Sequence, residues 1–149
     1  MNHIEDYLEK PYWLIDILPK QVPANNQGQY FKIEEYFLEE PQFGAICKKF
    51  SNFLIKLNCY YGISVCNELK EWSDNPQPTS IEKRLLSGRS VYVLLKTEDA
   101  MIVFTGDDHY MTLYTPHVEL LELIRPLAQS EGLFVWKPQE PVGLVEEAR

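Results

Sequence analysis

The stretch VYVLLKTEDAMIVFTGDDHYMTLY, residues 91–114, decides how this chain folds. Three apolar runs, VYVLLK, MIVFT and YMTLY, are separated by connections rich in turn residues, which predicts an antiparallel β-meander. Side chains alternate faces along a strand, so the pairing can be tested for consistency. With four-residue turns at 97–100 and 106–109, Phe104 opposes Met111, Ile102 opposes Leu113, Leu95 opposes Ile102, and Val93 opposes Phe104. One face then carries Val91, Val93, Leu95, Ile102, Phe104, Met111 and Leu113, all apolar, as a core face requires.

The opposite face carries Tyr92, Leu94, Met101, Val103, Tyr110, Thr112 and Tyr114, together with Lys96 and Thr105. Tyrosine supplies a large contact area with little side-chain entropy to lose, so these first seven residues form a candidate partner-binding platform if exposed. The alternative is that the N-terminal segment, the long loop around Trp72 or the C-terminal tail covers it. The cluster Asp107, Asp108, His109 falls at the tip between the second and third runs. Aspartate and glycine favour turns, and neighbouring carboxylates on a turn point apart, so the cluster reads as a turn and not as a metal site.

Working outward, YWLIDIL (residues 12–18) reads as a strand carrying one anomalous charge, Asp16, and the loop KQVPANNQGQ follows it. Residues 30–40 suit a short helix. Ile46, Phe50, Phe53, Leu54 and Leu57 then draw the apolar stripe of a longer helix that should lie flat on the sheet. A short strand is expected at 63–66 and a long surface loop, NELKEWSDNPQPTS, at 67–80, in which Trp72 is a candidate contact. Thr79 or Ser80 can cap a helix that stops at Ser87 and Gly88. Residues 117–130 give a last amphipathic helix, awkwardly containing Pro126, before the strand LFVW and a tail over 137–149. The expected fold is one α+β domain over residues 1–149: a meander of about four or five strands with amphipathic helices packed on one face, a two-layer sandwich.

With 149 residues, 45% hydrophobic and 24% charged, the chain can bury a core. Its apolar runs are too short for a membrane span, and the start, MNHIEDYLEK, lacks the basic and apolar regions of a secretory signal, so a cytoplasmic protein without a membrane partner is expected. Cys47, Cys59 and Cys66 are odd in number and match no zinc spacing, so reduced, structural thiols are expected. A formal charge of −8, with 14 basic against 22 acidic residues, disfavours nucleic acid and suits a basic partner. The residues show no phosphate loop, nucleophile elbow or paired histidines, so no catalytic residue, metal or cofactor is assigned and a non-enzymatic role is favoured without excluding an enzyme. The leading expectation is a small acidic protein acting through protein–protein interaction, with a toxin-neutralising immunity protein as one concrete version. The alternatives are a small-molecule binder or enzyme with a pocket between sheet and helices, involving Asp16, Tyr92 and Trp72, and a homodimer formed through the tyrosine face.

Overall fold

The computed structural model describes residues 4–67 and 71–139. Its helices are α1 (Ile4–Leu8), α2 (Gln29–Phe37), α3 (Gln42–Leu57), α4 (Pro78–Leu86) and α5 (Val118–Gln129). Its strands are β1 (Tyr12–Asp16), β2 (Ser64–Asn67), β3 (Ser73–Asp74), β4 (Val91–Leu95), β5 (Ala100–Phe104), β6 (Tyr110–Tyr114) and β7 (Phe134–Trp136). They form one antiparallel sheet in the order β3-β2-β4-β5-β6-β1-β7. The α+β class and the antiparallel meander are as the alternation requires. The sheet is wider than the four or five strands expected, because β2, β3, β1 and β7 extend the central three on both sides.

All seven side chains assigned to the core face are fully buried. Phe104 opposes Met111 and Ile102 opposes Leu113, as anticipated. Between β4 and β5 the pairing differs: Val91 opposes Phe104, Val93 opposes Ile102, and Leu95 opposes Ala100. The turn occupies residues 96–99 instead of 97–100, because Lys96–Glu98 coil into a 3₁₀ turn and Asp99 takes a left-handed conformation, φ 51°. Lys96 therefore leaves the strand. The shift is two residues, so every side chain keeps its face.

The core forms where α3, α4 and α5 cover that face. Phe50, Phe53, Leu54 and Leu57 of α3 are fully buried, and Phe50 packs its ring 5.4 Å from that of Phe104. From α4 come Ile81 and Leu85, and from α5 Leu120, Ile124 and Ala128. Burying a large apolar side chain contributes roughly 1.5–3 kcal/mol, so these rows dominate the stability of the sheet–helix contact. Helix α5 is capped by the His117 imidazole, which accepts from the Leu120 amide at 3.2 Å, and it continues through Pro126, whose ring faces solvent.

Several boundaries depart from the sequence reading. Strand β1 ends at Asp16, and α2 ends at Phe37 instead of reaching residue 40. Helix α4 opens with Pro78 in its first turn and no side-chain cap, so neither Thr79 nor Ser80 caps it. The segment expected to be a long loop contains β3. Arg84 holds it there, donating to Asn67 Oδ1 and Ser73 Oγ at 2.9 Å each. Asn75 Oδ1 accepts from the Ile63 amide and from Asn58 Nδ2. The helices are not confined to one face, since α1 lies on the other. Most of the tail at 137–149 lies outside the described residues.

Gly106 fixes how the β5–β6 hairpin sits against the turn that follows α4. A Cβ at this position would lie 2.4 Å from the carbonyl oxygen of Gly88, a backbone atom that cannot swing aside. Gly106→Ala should therefore lower the unfolding free energy by about 1–3 kcal/mol, as overpacking against backbone does. Urea denaturation of the variant beside wild type checks this; equal midpoints would show that the hairpin is not wedged there.

Candidate functional site

The sheet face opposite the main core is assembled from alternate residues of six strands: Cys66 on β2, Tyr92 and Leu94 on β4, Met101 and Val103 on β5, Tyr110, Thr112 and Tyr114 on β6, Tyr12, Leu14 and Asp16 on β1, and Trp136 on β7. Two covers divide it. On one side α1 lays Ile4 and Tyr7 over Cys66, Met101 and Val103, with Trp72, Tyr92, Leu94 and Tyr114 packed around this second apolar cluster. The Tyr7 hydroxyl donates to Asp99 Oδ1 at 2.6 Å, and burial, then the Asp99 contact, pushes its phenol up to about 12. It remains a neutral donor that pins the helix.

Of the seven residues assigned to the platform, Met101 and Val103 are thus buried, while Tyr92, Leu94, Tyr110, Thr112 and Tyr114 are half-buried. Trp72 is half-buried and packs on the same cluster, which ties the segment before β3 to the body. Helix α1 went unread in the sequence. Its buried face is the i, i+3 pair Ile4 and Tyr7, too short a run to establish a period.

On the other side residues 17–28 fold back over the ends of β1, β6 and β7. The indole nitrogen of Trp136 donates to the Leu18 carbonyl at 3.1 Å and holds this segment against β7. Between segment and sheet lies a cavity of about 140 Å³, with Leu14, Asp16, Tyr110 and Trp136 as its floor and Tyr30 and Phe31 of α2 at its side. Asp16 does reach a cavity, but on the face away from α3, α4 and α5. Tyr92 and Trp72 are elsewhere, since β5 and β6 separate β4 from β1. The three residues suggested for a pocket between sheet and helices do not converge.

A buried polar network stands beside the cavity. His109 Nδ1 lies 3.0 Å from Asp16 Oδ1, and Nε2 lies 2.7 Å from the Tyr30 hydroxyl and 3.3 Å from Glu34 Oε2. Both His109 and Asp16 are almost fully buried. Burial alone disfavours the imidazolium, but the hydrogen bond and charge of Asp16, with that of Glu34, outweigh it and raise the pKa of His109. The carboxyl of Glu34 is raised by burial and by the neighbouring acids, and its attraction to His109 only partly offsets this. Tyr30 and Tyr110 are pushed well up by burial, then by surrounding carboxylates, so both phenols stay protonated.

The Asp107–His109 cluster is therefore only partly a turn tip. Asp107 is exposed, Asp108 turns back to Thr105, and His109 points inward to join β1 and α2 to the hairpin. The order carboxylate, imidazole, hydroxyl resembles a proton relay in outline, yet both ring nitrogens are engaged and the ring is sealed from the cavity mouth. Its chemistry here is bracing. Among the described residues no group of three or more His, Cys, Asp and Glu side chains is arranged to hold a metal. Cys47 is buried, its thiol pushed up to about 12 by desolvation and so kept protonated, and none of the cysteines forms a disulfide.

No family model matches the chain, and no curated protein or solved structure matches it.

The direction of the His109 shift sets a pH dependence. A folded pKa raised above the ordinary 6.5 means that the native state holds its proton more tightly, so this stabilisation is complete below pH 6.5 and is lost as pH rises through the folded value. Raised carboxyls at Glu34 and Asp108 act in the same sense at lower pH. Unfolding free energy should fall as pH climbs above 6.5, and His109→Gln should flatten that slope. Titrating the His109 ring proton by NMR gives an independent check; a midpoint below 6.5 would contradict the ion pair.

Proposed function

We propose that the protein acts by binding a basic polypeptide through the strip of the outer face that runs from the edge of the α1 cluster at Tyr114 to the edge of the cavity at Tyr110. One observation carries this reading: Tyr12, Tyr110, Thr112 and Tyr114 stay half-buried where the flanking positions are covered. They are contiguous, since Tyr12 pairs with Tyr114, Leu14 with Thr112 and Asp16 with Tyr110. The rings of Tyr12 and Tyr114 lie 5.9 Å apart, which holds both in place before any partner arrives. Pre-set aromatic side chains lose little entropy on binding and are favoured anchors in protein interfaces.

Charge complementarity selects the partner. The chain carries a formal −8, and Asp107 and Asp108 stand at the hairpin tip beside Tyr110. Such a field accelerates encounter with a positive surface and repels nucleic acid. Neutralisation of a basic toxin by an immunity-type protein is one instance of this role.

Thr112→Lys places a like charge in the middle of the strip without removing a core side chain. It should weaken capture of the native partner from cell extract by on the order of tenfold or more, and raising the salt should slow association of the wild type. Undiminished capture by the variant, or an association rate indifferent to ionic strength, would sink the reading; a concentration-dependent dimer lost in the variant would assign the strip to a second copy of the chain instead.

A further inference from the structure

The cavity beside Asp16 combines three properties that together define what can occupy it. Its volume, about 140 Å³, is several times that of one water and close to the size of a cavity that admits a benzene-sized group. Four aromatic side chains, Tyr30, Phe31, Tyr110 and Trp136, line it together with the aliphatic Leu14, Leu18 and Val22 and the amides of Gln21 and Asn26. Its floor includes a carboxylate, Asp16, that is only 2% exposed.

An anion is excluded by charge. Asp16 and Glu34 meet the His109 imidazole and Asp108 lies near it, and after burial it is the charges of Glu34, Asp16 and Asp108 that push up the phenols of Tyr30 and Tyr110. A neutral apolar guest would strip water from the carboxylate and give nothing back, which is costly. A cation gains twice, from the carboxylate and from aromatic side chains, which attract cations through their ring quadrupoles. We propose that this cavity is a binding site for an organic cation, a guanidinium or alkylammonium head group, held by Asp16 among Tyr30, Tyr110, Phe31 and Trp136.

His109 does not fill the role. It meets Asp16 Oδ1 but does not line the cavity, so the guest would approach the carboxylate from the opposite side. Entry is through the rim formed by Pro23, Ala24, Gly28 and Phe31, all exposed, with Phe31 at 56%. Segment and helix are already fixed, by the Trp136–Leu18 bond and by Asn26, whose Oδ1 accepts from the Tyr30 amide at 3.0 Å. The cation can belong to a free amine or to an arginine or lysine side chain of a basic polypeptide; only the second source rests on the function proposed above.

Titration of the whole chain with n-butylguanidine, n-butylammonium and the neutral isostere n-butylurea, followed by NMR at the Trp136 indole proton, tests the site. Saturable shifts are expected with the cations and at least about tenfold weaker binding with the urea, the difference a charged hydrogen bond makes. Asp16→Asn should abolish the preference. Because that change also disturbs the His109 pair, Ala24→Trp, at the exposed rim, serves as the second variant and should block both cations while the melting temperature holds. Equal binding of the urea, no saturable shift with either cation, or undiminished binding to the Ala24→Trp variant would each overturn the proposal. N-acetyl-arginine methylamide then separates the sources: binding matching butylguanidine assigns the site to a polypeptide side chain, and its exclusion while butylguanidine binds assigns it to a free amine. Capture of a partner by the Tyr12–Tyr114 strip is read separately through Thr112→Lys, so either proposal can fail without the other.

Discussion

A period of two, kept in register across β4, β5 and β6, is the constraint on which the rest of the molecule depends. It sends Val91, Val93, Leu95, Ile102, Phe104, Met111 and Leu113 to one side, where α3, α4 and α5 close over them. Phe50, Phe53, Leu54 and Leu57 of α3 pack into one cluster with this face. The same alternation obliges the intervening residues to face the other way, and a sheet with two partly apolar faces must cover the second one or use it. Here α1 covers one part of it and residues 17–28 another.

The cover is economical. Five residues of α1 and one hydrogen bond from Tyr7 to Asp99 bury Met101 and Val103, while the segment after β1 is drawn back by Trp136 and by the Asn26 contact with α2. What would otherwise be a broad hydrophobic patch is reduced to a strip of phenols and a cavity. Asp16 is the residue that makes the second half of this arrangement more than packing. A buried carboxylate demands partners, and His109 supplies one, joining β1, the hairpin and α2 at a single point. Removing one member of such a pair costs about 3–5 kcal/mol, because the other is left charged and buried. The pair therefore fixes where α2 stands, and α2 supplies the side wall of the cavity.

Much of the inner face was legible from the residues. Seven apolar side chains at strict alternation mark a core face, and α3, sixteen residues long, announces itself by the stripe from Ile46 to Leu57. The β4–β5 pairing was displaced by two positions because the turn is set by the 3₁₀ coil of Lys96–Glu98 and by Asp99 at positive φ, neither of which composition dictates; even so, parity protected the assignment of faces. The outer face was less legible for reasons of length and distance. Helix α1 and strand β3 are too short to show a period. The Asp16–His109 contact spans 93 residues, so the anomaly of a charge inside YWLIDIL could be seen while its partner could not. The alternation does put these tyrosines on one side of the sheet, yet α1 and the neighbouring Trp72 cover much of that side.

The sorting of side chains between two faces is open to direct test by NOE spectroscopy with selectively labelled methyl groups and aromatic rings. Cross-peaks should join the ring of Phe104 to those of Phe43 and Phe50, and Ile4 and Tyr7 to the cluster of Met101 and Val103. Cross-peaks from Phe104 to Tyr7, with Met101 meeting α3 instead, would mean that β5 is inverted and that the strip and the cavity do not exist as described.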